Sequence, residues 1–383
     1  MSRTIFLGSR IFDGDHFHDG KALIVRDGRI EAIVAGEALP EGKMVKLEGG
    51  VLAPGFIDAQ VNGGGGRMLN DAPSPESMFI IADGHSPYGT TSLLPTLITD
   101  TSTATKEAIA AAKDAVKTDR GVAGLHLEGP HLAPARKGAH VAELMRPVED
   151  ADVRQLVDAR QAIGTLMVTM AAEQVTPTQI RALSEAGVIV SIGHSDANAE
   201  QAEAAFAAGA RGVTHLFNAM SQIGHRAPGL AGTALDHPSI WCGIIADGHH
   251  VDRKTMRIAL RAKQGEGKLF FVTDAMSLVG SEQDSFTLNG RTVRRQEGDF
   301  CSKLVLADGT LAGADIDMTA AIRYGLTYLD LSLAEALRMA SAYPAAFLRL
   351  ADRGFLRPGM RADLVHLSDK LEAKATWRAG TLL

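Results

Sequence analysis

The chain has 383 residues, of which 45% are hydrophobic and 5% aromatic, and its formal net charge is −6 at pH 7. This length allows one large domain plus a small one, and 40 glycines suit the short strand–helix turns of an α/β protein better than an all-β protein. The negative charge, without a run of lysine and arginine, argues against nucleic acid as a partner.

Both ends of the chain have the pattern of short β strands. The N-terminal part contains TIFLGSRIFDG, KALIVRDGRIEAIVAG and MVKLEGG, and Asp27-Gly28 between two such runs is typical of a hairpin turn. The C terminus repeats the pattern in GFLRPGMRADLVHLS and ATWRAGTLL. We therefore predict a small β-sandwich domain from residues 1–53 plus 354–383, and a catalytic domain from residues 54–353.

The middle of the chain alternates apolar strands with helices. The predicted strands are VLAPGFIDAQV, TTSLLPTLIT, VAGLHLEG, TLMVTMA, VIVSIGHS, GVTHLF, WCGIIADG and LFFVTDA. Helical patterns lie between them, for example TSTATKEAIAAAKDAV, TPTQIRALSEAG and NAEQAEAAFAAGA. Eight strands with crossovers over roughly 300 residues indicate a (β/α)8 TIM-like barrel, and a doubly wound open sheet is the alternative.

Polar residues near the ends of the predicted strands decide between these architectures. Glu128, His194, His215, Asp247 and Asp274 each lie at or near the C-terminal end of a strand. In a barrel those ends point at one mouth, whereas an open sheet would spread them along an edge. The sequence therefore favours the barrel, with its chemistry at that mouth.

Cysteine usage and hydropathy exclude two further classes of protein. Cys242 and Cys301 are the only cysteines, so neither a disulfide framework nor a CxxC zinc site is available. The segment MSRTIFLGSRIFDG lacks the apolar core of a signal peptide, and no apolar run reaches about 18 residues. We expect a soluble cytoplasmic protein with no membrane partner.

One carboxylate and two imidazoles form the candidate metal site. Glu128, His194 and His215 are a usual catalytic zinc set, with a fourth position left for water. Iron(II), cobalt and manganese suit the same ligand types, so the prediction is one divalent metal per subunit, with zinc first. Each residue taken alone could instead be an ordinary hydrogen-bonded polar group.

Asp274 is the candidate general base and acid. A carboxylate opposite the metal can take a proton from water and pass it to a leaving amine. The alternative for Asp274 is a helix N-cap in TDAMS.

The first barrel strand runs into VNGGGG with neutral amides, Gln60 and Asn62, where many metal hydrolases have His-x-His. A bridged two-metal centre would also want a carboxylated lysine or a bridging glutamate. TLMVTMAAEQ offers no lysine, and a second site beside Glu128 would lack its imidazoles. The sequence therefore predicts one metal, with Gln60 in contact with the bound water or a ligand.

Seven motifs occur in the order found in one known family: HLEGPHL, KGAH, IGHSDA, THLFNAM, HRAPGLAG, ADGHHV and VTDA. On these motifs the chain resembles the N-acetylglucosamine-6-phosphate deacetylases of the amidohydrolase superfamily, from APGFIDAQVNG to GMRADLV. The resemblance implies a barrel with a β-sandwich from both termini, a homodimer, and hydrolysis of the acetamido group to acetate and glucosamine 6-phosphate.

The same resemblance assigns roles by motif. It implies metal binding by Glu128, His194 and His215, and acid/base catalysis by Asp274. The implied substrate contacts are Ala139 of KGAH, Asn218 and Ala219 of NAM, Arg226 of HRAPG, His250 of ADGHHV, and the backbone of Leu311, Ala312 and Gly313. His140, beside Ala139, is an additional candidate for a hydroxyl or carbonyl contact. Arg226 is implied to bind the phosphate, and both Arg226 and His250 to reach the site from the partner subunit. His249 is the alternative to His250, and a solvent-exposed loop position is the alternative for His140.

Other functions remain open at this point. The substrate could be another N-acetylhexosamine, either N-acetylgalactosamine 6-phosphate or an unphosphorylated N-acetyl sugar. A cyclic-amide hydrolase such as a dihydroorotase would usually want the missing histidine pair and lysine. A non-catalytic scaffold would not need Glu128, His194, His215 and Asp274 together, and it would carry little metal after purification.

Overall fold

The computed structural model describes residues 3–36 and 39–383, and it begins with seven strands. They are β1 (Arg3–Leu7), β2 (Arg10–Phe12), β3 (Phe17–His18), β4 (Lys21–Arg26), β5 (Arg29–Ala35), β6 (Lys43–Lys46) and β7 (Val51–Pro54). Asp27 and Gly28 connect β4 to β5 with φ angles of 51° and 75°. Two successive left-handed residues are typical of a tight hairpin turn, so the predicted hairpin is confirmed.

The central strands form the barrel. They are β8 (Phe56–Val61), β9 (Gly63–Gly64), β10 (Arg67–Met68), β11 (Thr90–Ile98), β12 (Leu125–Glu128), β13 (Leu166–Met170), β14 (Ile189–Ile192), β15 (Gly212–Val213), β16 (Trp241–Ile244) and β17 (Leu269–Phe271). All except the β9–β10 hairpin belong to one parallel sheet in the order β17-β16-β15-β14-β13-β12-β11-β8. A parallel bridge from Val61 to Ala275 brings its two edges together. The predicted (β/α)8 barrel is confirmed.

Seven helices follow within the same part of the chain. They are α1 (Pro75–His85), α2 (Ser102–Ala115), α3 (Asp150–Ile163), α4 (Pro177–Glu185), α5 (Ala199–Ala207), α6 (Gly229–Asp236) and α7 (Arg253–Ala262), with short 3₁₀ turns at Ser86–Tyr88, Pro134–Arg136 and Ala142–Leu144. Thr176 and Gln179 form a capping box at the start of α4, with proline in its first turn, so the TPTQ sequence itself begins that helix.

The structure corrects one predicted strand. VLAPGFIDAQV is not one barrel strand but two strands, β7 and β8, with Gly55 between them. A Cβ atom at Gly55 would lie 2.3 Å from the Thr91 side chain, so only glycine fits there. The continuous apolar pattern hid this break, because both strands are fully buried.

An antiparallel sheet that the sequence analysis did not predict follows β17. Its strands are β18 (Ser285–Leu288), β19 (Arg291–Gln296), β20 (Lys303–Val305) and β21 (Leu311–Ala314), and α8 (Met318–Tyr328), α9 (Leu333–Ala340) and α10 (Ala342–Leu348) come next. Its buried Leu288 and Leu304 pack in one apolar cluster with Met68, Ile98 and Met276. This inserted sheet therefore covers part of the barrel mouth.

The last strands join the N-terminal ones. β22 (Leu364–Leu367), β23 (Ala373–Arg378) and β24 (Thr381–Leu382) form a sheet in the order β24-β23-β22-β7-β2-β3, and a second sheet has the order β5-β4-β1-β6. One core, which includes Phe6, Leu23, Leu52, Leu364 and Trp377, joins the two sheets. The additional β domain is thus confirmed, while its boundaries at 1–53 and 354–383 stay a prediction and include residues 1, 2, 37 and 38, outside the described ranges.

Within residues 3–36 and 39–383, none of the helices is long and apolar enough to cross a membrane. The cytoplasmic location stays a prediction.

Trp377→Ala tests the packing between the two terminal sheets. Trp377 is buried and meets Phe6 edge to face, with ring centroids 5.1 Å apart. We expect the free energy of unfolding in urea, followed by circular dichroism, to fall by about 3–5 kcal/mol. Leu382→Ala, in the same sheet but 61% exposed, is the control and should change it by less than about 0.5 kcal/mol. Equal effects of the two variants would contradict this account of the core.

Candidate active site

The structure brings together four of the five polar residues that the sequence analysis placed at strand ends. Glu128 is the last residue of β12, His194 and His215 follow β14 and β15, and Asp274 follows β17. Because parallel strands of a barrel all end at the same rim, four segments that are far apart in sequence converge there.

Three of these four residues have a left-handed backbone. The φ angles are 47° at His194, 29° at His215 and 50° at Asp274. A residue with a side chain costs about 1–3 kcal/mol in this conformation, and such strain collects at functional sites. The turns after these strands thus point the side chains of His194, His215 and Asp274 at the cavity, at some cost in local stability.

The ligand atoms of Glu128, His194 and His215 form a buried triangle. Nε2 of His215 lies 3.0 Å from Oε1 of Glu128 and 3.0 Å from Nε2 of His194. Nε2 of His194 lies 3.2 Å from the same Oε1. Nitrogen and oxygen ligands at about 2.0–2.2 Å from a tetrahedral zinc ion would be about 3.3 Å apart, so the triangle has the size a divalent metal needs.

The donor chemistry of the triangle also fits a metal. Nδ1 of His194 lies 2.8 Å from the backbone carbonyl of Arg136, which can only accept, so Nε2 offers its lone pair to the triangle. Burial alone would raise the pKa of Glu128, but its close contacts with the imidazoles of His194 and His215 outweigh burial and hold that pKa well below its usual range. An ionised carboxylate and neutral imidazoles are the protonation states that a divalent metal binds.

Two amide side chains connect the triangle to Asp274. Nε2 of Gln60 donates to Oε1 of Glu128 at 3.2 Å and to Oδ1 of Asp274 at 3.0 Å. Nδ2 of Asn62 donates to the same Oδ1 at 2.7 Å. Burial and the negative charge of Glu128 raise the pKa of Asp274. The contact of Gln60 with water or a ligand stays a prediction.

His250 is held by Asp247. Nδ1 of His250 lies 2.5 Å from Oδ2 of Asp247, and the backbone N–H groups of His249 and His250 donate to Oδ1. Burial lowers the pKa of His250, but the hydrogen bond and charge of Asp247 outweigh it, so the pKa is raised. The neighbouring His249 turns away, with Nε2 2.8 Å from the carbonyl of Cys301.

A cavity of about 190 Å³ opens in front of the triangle. Besides the four residues from the strand ends, its wall contains most of the predicted substrate contacts: Ala139, His140, Asn218, Ala219, His250, Leu311 and Gly313. A larger cavity of about 360 Å³ lies beside α2 and α3 and includes none of the predicted residues. The smaller cavity is therefore the candidate active site.

The single chain places three of the predicted substrate contacts as follows. His250 lines the cavity of its own chain, where Asp247, which follows β16 of the same barrel, holds it; a contribution of His250 from the partner subunit stays a prediction. Arg226 is exposed in the loop before α6 and does not line this cavity. Ala312 packs inside the inserted sheet rather than in the wall.

Sequence reasoning missed several residues of the wall: Asn62, Ile98, Gly138, Met276 and Leu288. Asn62 was named only as a departure from His-x-His and given no contact, although it lies on the same face of its segment as Gln60. Leu288 could not, because it belongs to the inserted sheet and reaches the cavity only through tertiary packing.

This barrel and its buried metal-ligand triangle define a metal-dependent hydrolase of the amidohydrolase type. Residues 51–383 match the Amidohydrolase family, and the chain belongs to that family.

Among curated relatives, the chain is similar to two sugar-phosphate deacetylases. It is 39% identical to N-acetylgalactosamine-6-phosphate deacetylase of Shewanella sp. (strain ANA-3), over 98% of this chain and 95% of the relative. It is 38% identical to N-acetylglucosamine-6-phosphate deacetylase of Haemophilus influenzae, over 90% of this chain and 89% of the relative.

Solved structures show the same likeness. The N-acetylglucosamine-6-phosphate deacetylase of Pasteurella multocida superposes with a TM-score of 0.94 at 35% identity, covering 100% of this chain and 99% of that one. A mutant of the Mycobacterium smegmatis enzyme in complex with N-acetyl-D-glucosamine-6-phosphate gives a TM-score of 0.89 at 29% identity, with coverage of 100% and 99%. The resemblance seen in the motifs is confirmed.

Asp247→Asn tests the electrostatic coupling to His250. Since Asp247 raises the pKa of His250, its neutral isostere should lower that pKa, and His250 should lose its proton at a lower pH. Imidazole NMR titration would measure this, with His250→Asn used to assign the signal. Asp252→Asn, which alters a carboxylate bonded to the backbone N–H of Lys254 in the same loop, is the control. An unchanged pKa in Asp247→Asn would exclude the coupling.

Proposed function

We propose that this amidohydrolase converts N-acetyl-D-glucosamine 6-phosphate and water to D-glucosamine 6-phosphate and acetate. The observation that carries this proposal is the buried triangle of Glu128, His194 and His215 facing the same cavity as Asp274. The relatives named for this reaction, and the M. smegmatis structure that contains this sugar phosphate, support the choice of substrate.

Glu128, His194 and His215 would hold one divalent metal per subunit. Their donor set favours zinc, and iron(II), cobalt or manganese would also be accepted. When bound, such a metal polarises a carbonyl group and lowers the pKa of a water molecule to about 7. Gln60 and Asn62 stand where a second metal would need imidazoles, which supports a single ion.

Asp274 would move the proton. It takes one proton from the attacking water and returns it to the sugar nitrogen, while the water oxygen bonds to the acetyl carbon as the amide C–N bond breaks. A raised pKa suits a carboxyl group that must both accept and release a proton near neutral pH.

His250 would stabilise the charge that develops on the acetyl oxygen. Its Nδ1 is bound to Asp247, so Nε2 is the nitrogen left to donate into the cavity. A donor fixed in advance by a buried carboxylate stabilises a developing oxyanion without reorganising.

We further propose a homodimer in which Arg226 of one subunit completes the site of the other. The cavity wall, within residues 3–36 and 39–383, contains no lysine or arginine, although a sugar phosphate needs a cation. Arg226 lies in an exposed loop beside Ile223, which is 52% exposed, as an interface residue would be in an isolated chain.

The galacto epimer is the second candidate substrate. The relative from Shewanella named for N-acetylgalactosamine 6-phosphate is 39% identical over 98% of this chain. The two substrates differ in the direction of one hydroxyl group, and the cavity wall contains polar groups of Asn218 and of the backbone at Leu311 and Gly313.

Acetate release from three sugars, measured side by side with added zinc, tests the function. The sugars are N-acetylglucosamine 6-phosphate, its galacto epimer and unphosphorylated N-acetylglucosamine. We expect the first to give the highest kcat/KM. A higher value for the epimer would move the assignment to the galactosamine reaction, and equal rates with and without phosphate, or no release from any sugar, would overturn the proposal.

Asp274→Asn should abolish turnover while the metal remains bound. The amide cannot accept the proton, and loss of a general base costs about 10²–10⁴-fold in kcat. Metal per chain, measured by elemental analysis, should match the wild-type protein because Asp274 is outside the triangle. Substantial remaining turnover would exclude the role given to Asp274.

Arg226→Ala should raise KM for the phosphorylated sugar by roughly 10- to 100-fold, as expected for loss of a charged hydrogen bond. The slow hydrolysis of unphosphorylated sugar should not change. Arg181→Ala, an exposed arginine on α4, is the matched control. Equal losses on both sugars would argue against a phosphate contact.

A further inference from the structure

The two oxygens of the Asp274 carboxylate have different surroundings. Oδ1 accepts hydrogen bonds from both Gln60 and Asn62. No side chain within residues 3–36 and 39–383 donates to Oδ2, and Asp274 is partly exposed to the cavity. One oxygen is therefore held by the protein, and the other is free to meet a substrate.

Gln60 lies between two negative side chains. Its Nε2 carries two N–H donors, and one bonds to Glu128 while the other bonds to Asp274. Gln60 is 1% exposed, so water does not compete for these donors. The amide thus lies between two carboxylates and donates to both, which offsets their mutual repulsion.

The backbone fixes both amides relative to Asp274. The N–H of Asp274 donates to the carbonyl of Gln60 at 3.0 Å, and the N–H of Asn62 donates to the carbonyl of Ala275 at 2.9 Å. These bonds close the barrel between its first and last strands. The amide donors of Gln60 and Asn62 and the carboxylate of Asp274 that accepts from them are therefore held by the same backbone pairing.

Such a restraint matters because an aspartate carboxylate turns easily. The last torsion of the side chain joins a tetrahedral and a planar carbon, and its energy profile is broad. A reacting group that is misplaced by about 1 Å can cost about 10²-fold in rate. Because two amide donors bind Oδ1 of Asp274, the position of Oδ2 is fixed as well.

We propose that Gln60 and Asn62 are positioning residues that hold Oδ1 of Asp274, so that Oδ2 is the oxygen that exchanges the proton with water and with the leaving nitrogen. This inference rests on the proposed function, because it gives each oxygen of the general base a separate task.

Asn62→Leu is the variant that tests it, since leucine keeps the approximate shape of asparagine and removes the donor. We expect kcat to fall roughly 10- to 100-fold, with KM and the metal content within about twofold of the wild-type values. Gln60→Leu should also lower kcat. A crystal structure of Asn62→Leu should show the Asp274 carboxylate turned, or in two orientations.

Asn70→Leu is the matched control. Asn70 also donates its amide to a carboxylate at this end of the barrel, with Nδ2 2.9 Å from Oδ2 of Asp100, but it does not line the cavity. Its loss should leave kcat within about twofold of wild type. If Asn62→Leu does not fold, Asn62→Ala provides the second test, because it removes the donor without adding bulk and should also lower kcat.

An unchanged kcat in Asn62→Leu, or a fall matched by Asn70→Leu, would overturn the inference. So would a wild-type orientation of Asp274 in the variant crystal. If the wild-type protein releases acetate from none of the three sugars, the proposed function fails. The orientation of Asp274 in the Asn62→Leu crystal structure still decides whether the amides position its carboxylate.

Discussion

The pairing of β8 with the residues after β17 is the constraint on which the site depends. Val61 pairs with Ala275, and the backbone of Asp274 is bonded to that of Gln60, so the first and last barrel strands meet beside the triangle. Below this pairing, the buried carboxyl group of Asp58 accepts from the Thr273 hydroxyl at 2.6 Å, and burial raises its pKa to about 7. The pairing of β8 with the residues after β17 thus determines the position of Asp274 relative to the metal ligands.

The site places polar groups where a barrel usually packs aliphatic side chains, and a chain of hydroxyl groups beneath the triangle provides partners for one of them, His126. His126, on β12 below Glu128, lies 2.7 Å from the hydroxyl of Thr169, which bonds in turn to Thr214 and on to Ser191. Burial lowers the pKa of His126 to about 4, so this imidazole stays neutral beneath the triangle. Because buried polar groups that lack partners are costly, this chain of hydroxyl groups offsets the cost of burying His126 beneath the metal ligands.

The inserted sheet completes the site from above. Leu288, Leu311 and Gly313 form part of the cavity wall, and the guanidinium group of Arg291 donates to the carbonyl of Ala139 on the opposite loop. These residues add apolar surface to a cavity whose other side is charged, and lower local polarity strengthens electrostatic interactions. The barrel therefore supplies the reacting groups, whereas the insertion shapes the space available to the sugar.

The sequence by itself determined the barrel, the triangle of Glu128, His194 and His215, and the position of Asp274. These follow from local signals, since apolar strands ended by polar residues keep their periodicity whatever surrounds them. Tertiary structure alone decided that Gln60 bonds to two carboxylates, that His250 faces its own cavity while His249 turns away, and that Leu288 reaches the wall. Each of these depends on contacts between segments distant in sequence, and the residue pattern of one segment does not specify which other segment packs against it.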